Sequence, residues 1–314
     1  MSSNMALRLA VLCVIGFLFI VDNGQAAQPY VVVLGIAQDG GYPQAGCRRE
    51  CCMPAWDAPS LQRWVTCLAI VDPDSSQYWL LDCTPDFKYQ LHLLSQLVPQ
   101  DPPLTLAGVF PTHAHIGHYT GLMHLGREVM GARQVRVYSM PRLTWFLSSQ
   151  GPWSQLVELD QISLLRIQAG QAIQLSHQLT VEPFIVPHRD EFSETVGFRL
   201  TGPQAKLLYI PDIDKWERWN VPIEDLVAEV DFAFLDGTFY SNDELPGRNM
   251  SEIPHPFIAE SLQRFIALPD QERRKIYFTH LNHSNPAISA QSVAAKQIHE
   301  AGMSVASQGQ RIDL

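Results

Sequence analysis

Pro111-Thr112-His113-Ala114-His115-Ile116-Gly117-His118-Tyr119-Thr120-Gly121-Leu122 follows directly on an apolar run, Leu104 to Phe110, that reads as a strand. Three histidines stand within six residues, out of eleven in the whole chain. A tight loop after a strand end can aim several imidazoles at one point. Neutral imidazole is the commonest protein ligand for zinc and its neighbours. A His-x-His pair on its own is more often a solvated loop than a ligand set. The concentration here counts against that reading, as do the histidines and aspartates at later strand ends.

Those later ends can be read off the chain. The run Leu179 to Val186 ends in Pro187-His188-Arg189-Asp190, and Lys206 to Ile210 ends in Pro211-Asp212-Ile213-Asp214. Asp214 is expected to cap a helix starting at Lys215. Asp231 to Leu235 ends in Asp236-Gly237-Thr238, and Ile276 to Thr279 ends in His280. Further strands are predicted at Tyr30–Ile36, Thr66–Val71, Gln77–Cys83, Val135–Ser139, Ala172–Leu175 and Thr195–Leu200. Helices are predicted from Pro85 to Leu97, with His92 as a packing residue, and over Gly121–Met130, Pro141–Ser148, Phe257–Ile266 and Ala290–Ala301. His124 is expected to pack or to lie on the surface. After the first strand, Gln38-Asp39-Gly40-Gly41-Tyr42-Pro43 carries turn chemistry. Its paired glycines suit an ordinary turn or a close backbone approach to a ligand. With no repeat or linker, the pattern is one α/β domain, residues 27–314, with ligand candidates at successive strand ends, where such sheets place their sites.

His113-Ala114-His115-Ile116-Gly117-His118 resembles the His-x-His-x-Asp-His signature of the metallo-β-lactamase fold superfamily, with Gly117 in the place of the aspartate. Gly40-Gly41-Tyr42-Pro43, the cysteines after it, and Thr279-His280-Leu281-Asn282-His283-Ser284-Asn285-Pro286 are similar to one branch. That branch holds the pyrroloquinoline quinone biosynthesis protein B and the phosphoribosyl cyclic phosphodiesterases. The resemblance implies a four-layer αββα sandwich and a two-metal site. One metal would take His113, His115 and His188; the other would take His118 and His280, with Asp212 bridging. With Gly117 in place of the aspartate, the second metal is left with two histidines, the bridge and water. It is therefore expected to bind more weakly, in a less anionic site. Positional analogy further implies His255 as a proton donor oriented by Asp236.

The resemblance also implies a structural zinc held by cysteines and a late histidine. Cys47-Arg48-Arg49-Glu50-Cys51-Cys52 keeps the outer spacing but moves the middle cysteine to Cys51, and His283 supplies the histidine. A Cys3His set is an accepted structural zinc site. Adjacent Cys51 and Cys52 are expected to have difficulty turning both sulfurs inward. A disulfide and free thiols stay open as alternatives, and the odd count Cys47, Cys51, Cys52, Cys67 and Cys83 precludes complete pairing.

Residues 1–26 read as a signal peptide: Arg8, an apolar run from Leu9 to Val21, and small residues before a cleavage point after Ala26. The run is short for a membrane span. Export, secreted or periplasmic, is expected, with no stable membrane insertion after cleavage. The net charge of −10 argues against a nucleic-acid surface. The expected function is an exported metallohydrolase that uses a metal-bound hydroxide on a small ester or phosphodiester. Zn2+ is the expected cofactor, with two ions at the active site and one structural. Fe2+ or Mn2+ is open, and so are an iron-dependent oxygenase and a non-catalytic metal-binding protein. A homodimer is compatible with the sequence, which sets no oligomeric state.

Overall fold

The computed structural model describes residues 27–99 and 101–314; the predicted signal peptide lies outside the described residues. Six strands come first: β1 (Tyr30–Gly35), β2 (Cys67–Asp72), β3 (Gln77–Leu81), β4 (Thr105–Phe110), β5 (Val135–Ser139) and β6 (Ile162–Arg166). Seven follow: β7 (Ile173–Gln174), β8 (Thr180–Ile185), β9 (Val196–Thr201), β10 (Lys206–Ile210), β11 (Phe232–Asp236), β12 (Ile276–Thr279) and β13 (Ser304–Val305). The last, β14 (Arg311–Asp313), returns to the edge of the first sheet.

The two sheets run β14-β1-β2-β3-β4-β5-β6 and β13-β12-β11-β10-β9-β8-β7. Each is mixed: antiparallel through β1, β2 and β3 and through β7 to β10, then parallel through β3 to β6 and β10 to β13. Burial on both faces explains why β1 and β2 read as continuous apolar runs. Successive side chains still alternate between two cores. Val31, Val33, Ile70, Trp79, Leu81 and Phe110 face the second sheet, whereas Val32, Leu34, Ala69, Leu80 and Val109 pack with Phe87, Leu94, Leu143 and Leu147 of the outer helices. Helix residues Ile223, Val227, Ile258, Phe265 and Ile298 cover the second sheet. This is the expected αββα sandwich.

The outer helices begin where local chemistry satisfies their free N–H groups. Ser292 Oγ accepts from Ala295 N at 3.0 Å ahead of the helix Val293–Glu300, and Glu260 reaches back to Phe257 N at 2.9 Å ahead of Ile258–Phe265.

Three local expectations are corrected. The predicted helix Gly121–Met130 is a short 3-10 turn, Thr120–Leu125, ended by extended backbone at Gly126. His92 is exposed, because the helix Phe87–Leu97 turns Phe87, Gln90 and Leu94 inward at helical spacing and His92 off that stripe. Asp214 caps no helix: a 3-10 turn, Trp216–Arg218, follows, and the Asp214 carboxylate turns to His188 and Arg218 instead. His124 packs, stacked on Phe87 with ring centroids 5.5 Å apart.

Candidate metal centre

The strand ends deliver the predicted side chains to one place. Past β4, Thr112 donates from N and Oγ1 to Asp82 Oδ1 at 2.8 and 2.9 Å, which fixes the start of the histidine loop. His115 Nδ1 lies 2.7 Å from His113 Nε2 and 3.3 Å from His188 Nε2. Asp212 Oδ2 lies 3.3 Å from both His113 Nε2 and His188 Nε2, and 3.8 Å from His118 Nε2. A tetrahedral zinc with bonds of ~2.0–2.1 Å spaces its ligand atoms by about 3.3 Å, so these four donors fit one ion. His118 stands beside them, and His280 packs against it with ring centroids 5.1 Å apart.

A buried polar atom without a partner is costly, and such atoms are few in native proteins. Here Asp39 Oδ1, His118 Nε2, Asp212 Oδ1 and His280 Nε2 are all buried without a hydrogen-bond partner, gathered at this one point. Divalent metal would satisfy them together; the residues present fit it.

Each imidazole is held from behind, as metal-ligating histidines usually are. Asp82 Oδ2 lies 2.9 Å from His118 Nδ1 and accepts from the Tyr209 hydroxyl at 2.9 Å. Asp214 Oδ1 is 3.3 Å from His188 Nδ1, Glu191 Oε2 is 3.0 Å from His115 Nε2, and Thr238 Oγ1 is 2.9 Å from His280 Nδ1. Two of these residues occupy left-handed backbone that disfavours any side chain beyond glycine: Asp82 at φ 69° and His280 at φ 61°. Strain of this kind persists where surrounding structure imposes it, and it clusters at functional sites.

His255 sits on the same wall. Its Nδ1 lies 2.9 Å from Asp236 Oδ2 and 3.2 Å from Asp212 Oδ1, so the predicted His255–Asp236 pair is brought together. Burial works against its charge, but Asp236 and Asp212 push its pKa up to about 10. Burial likewise opposes charge on Asp212, which His188 and His255 nonetheless hold well below the usual carboxylate range. His113 is driven well below its ordinary value by burial and by His118, which favours the neutral, metal-binding form.

Cys47, Cys51, Cys52 and His283 also converge. Cys52 Sγ and Cys51 Sγ lie 3.2 and 3.7 Å from His283 Nδ1, and Cys47 Sγ is 3.9 Å from Cys51 Sγ. The expected difficulty with adjacent cysteines does not arise. Cys52 has near-helical backbone, φ −103° and ψ −25°, and the turning chain there brings both sulfurs to one side, where an extended strand would oppose them. No disulfide joins them. Burial raises the Cys52 thiol to about 12 and also raises Cys51, whereas Cys47, despite its burial, is lowered by hydrogen bonds from Arg49 N and the neighbouring thiols. A cation bound here would displace the protons that Cys51 and Cys52 keep.

The reading from sequence missed Asp39, Asp82, Tyr209 and Glu191. Asp82 had a detectable signal, since it too follows a buried strand, as Asp212 does. The side chain at Asp39 also corrects the expectation of a less anionic site: a carboxylate does stand beside His118, delivered from another loop. A groove of ≈ 860 Å³ lies elsewhere, lined by residues such as Tyr42, Trp56, Arg63, Trp64, Tyr89 and His299 and by none of these donors.

Known proteins share this fold. The chain is 25% identical over 306 residues to "Coenzyme PQQ synthesis protein B" of Methylorubrum extorquens, covering 91% of this chain and all of the relative. The crystal structure of Zn2+-bound PqqB from Methylobacterium extorquens superimposes with a TM-score of 0.76 at 23% identity, over 91% of this chain and 100% of that one. A diphosphatase from the PhnP family superimposes with a TM-score of 0.61 at 20% identity, over 92% and 98%. A beta-lactamase superfamily domain matches residues 78–281, the stretch from β3 to just past His280 that carries every predicted ligand of the centre. Sandwich, strand-end ligands and domain match agree, and the chain belongs to the beta-lactamase superfamily.

Proposed function

We propose that this chain is a metal-dependent hydrolase of a small ester or phosphodiester. The observation that carries the reading is the convergence of His113 Nε2, His115 Nδ1, His188 Nε2 and Asp212 Oδ2 beside His118, His280 and the His255–Asp236 pair. Divalent metal held there would supply Lewis acidity and water acidified to about pKa 7. Asp212 sets the spacing of the two histidine groups. Asp82, Asp214, Glu191 and Thr238 orient the imidazoles. His255 carries a proton on the ring whose Nδ1 is committed to Asp236, and its other nitrogen can hand that proton to a leaving oxygen. A net charge of −10 favours a small molecule over a nucleic acid as substrate. The PhnP-family diphosphatase among the structural neighbours is in keeping with phosphoester chemistry.

Zinc is the metal we favour, two ions in the centre and one in the Cys47/Cys51/Cys52/His283 cluster. We place the protein outside the cytoplasm because of the leader-like residues 1–26; a reporter that is active only after export, fused after residue 30, tests this. Among the described residues no helix is long and apolar enough to cross a membrane.

The test of activity is a panel of phosphodiesters, cyclic phosphodiesters, lactones and simple esters, run with zinc- and manganese-loaded protein. Turnover that His113→Ala abolishes supports the hydrolase. No turnover on any member would sink it. A second reading draws on the relatives named for coenzyme PQQ synthesis: iron in the same donor set, used with oxygen. Oxygen uptake by iron-loaded protein would favour it.

A further inference from the structure

We propose that Asp39 is a ligand of the second metal position, filling from the loop after β1 the role left open by Gly117. This rests on the two-metal reading above and adds to it a residue outside the matched domain, residues 78–281.

Three observations carry it. Asp39 Oδ1 faces His118 Nε2 at 3.4 Å and His280 Nε2 at 3.9 Å, with no hydrogen-bond partner for any of the three atoms. The first separation is what two ligands of one tetrahedral ion show, about 3.3 Å for bonds of ~2.0–2.1 Å. Second, Gly117 and Asp39 exclude alternatives at each other's position. A Cβ on Gly117 would stand 2.1 Å from Asp39 Oδ1 and 2.7 Å from Asp39 Cα. No side chain fits at 117 while Asp39 is where it is, so the glycine is the counterpart of the carboxylate. Third, Asp39 is placed by backbone. Gln38 N donates to Leu281 O at 2.8 Å, Leu281 N to Ile36 O at 2.8 Å, and Gly41 N to Gln38 O at 2.7 Å. Gly41 supplies the left-handed turn at φ 69°. The loop is thereby stitched to the residue that follows His280, and the carboxylate is preorganised against both histidines.

The consequence reverses the expectation from the histidine motif. The second position has His118, His280 and Asp39 with the Asp212 bridge, a full donor set, and no cause to bind weakly.

The experiment counts metal in full-length protein. Apo protein is titrated with Zn2+ against a chromophoric chelator, and bound ions are counted by mass spectrometry. The variants are Asp39→Asn, Gly117→Asp and the Asp39→Gly/Gly117→Asp double exchange. Wild type is expected to hold two ions at the centre and one at the cysteine cluster. Asp39→Asn is expected to keep the cysteine ion and one centre ion, and to weaken the second by on the order of 100-fold or more, above the ~10–100-fold typical of outer partners. Gly117→Asp alone should lose the same ion by collision. The double exchange should not regain it in full, because a Cβ at 117 still meets the Cα of residue 39 at 2.7 Å. The cysteine-cluster ion kept by every variant is the control against a generic loss of folding. Asp39→Asn retaining both centre ions at wild-type affinity would overturn the proposal while leaving the two-metal reading intact. A wild type that binds nothing at the centre would remove both.

Discussion

Asp82 Oδ2 lies 2.9 Å from His118 Nδ1, and both side chains are fully buried. The carboxylate also receives Tyr209 and, through Oδ1, Thr112, so one residue orients a ligand and anchors the start of its loop. Asp82→Asn preserves the shape and removes the charge. It is expected to lower metal affinity at the His118 position by about 10–100-fold and to leave the cysteine-bound ion in place. Metal titration of the variant checks this, and unchanged affinity would assign Asp82 to folding alone.

The cysteine cluster joins the turn before the helix Met53–Asp57 to the loop after β12, positions far apart in sequence. Cys52→Ser should cost one zinc per chain and lower the melting temperature by at least about 5 °C, the shift expected from on the order of 2 kcal/mol in a domain of this size. Calorimetry with parallel metal analysis decides it. Zinc content equal to wild type would show that the cluster holds none.

His255→Gln keeps a hydrogen-bonding side chain of similar reach but cannot deliver a proton. We expect kcat to fall by about 10²–10⁴ on substrates whose leaving group is an alkoxide. The loss should be much smaller for p-nitrophenolate, which departs without help. Equal losses on both substrates would assign His255 to positioning of Asp212 rather than to proton delivery.

Burial raises Glu244 to about 7 from an ordinary value of 4.5, against stabilising bonds from Ser241 N and Ser284 Oγ. The folded chain therefore binds this proton more tightly than the unfolded one. Its contribution to stability is fully present below the unfolded value and is lost as pH rises towards 7. Glu244→Gln mimics the protonated form, so its melting temperature should gain on wild type between pH 5 and pH 8. A difference that is flat with pH would refute this.

How legible was all this beforehand? The strand ends His113, His188, Asp212, Asp236 and His280 were legible because each follows a buried run whose apolar signal is strong. The same runs read as one α/β domain, and the resemblance carried by the histidine motif implied the sandwich. Strands β13 and β14, of two and three residues, were not, because pairing with neighbours and not local composition makes them strands. Asp39 was hidden for another reason. A glycine in the motif reads as a missing ligand until the space beside it is known to be filled by a residue 78 positions earlier. His118's partner Asp82 was masked by its assignment to the body of a strand.

Consider last the short span from His280 to His283. It carries a donor of each cluster, and its first residue is held in left-handed backbone at φ 61°. Strained backbone of this kind persists only where the surrounding structure imposes it. The thiol end is the more accessible, with Cys47 and Cys51 partly open to solvent, while His113, His118 and His280 are sealed inside. A mercurial or an alkylating reagent too large to enter the histidine pocket is therefore expected to disturb the metal centre from a distance: the cysteine cluster is a fuse for a histidine wall that the reagent never touches.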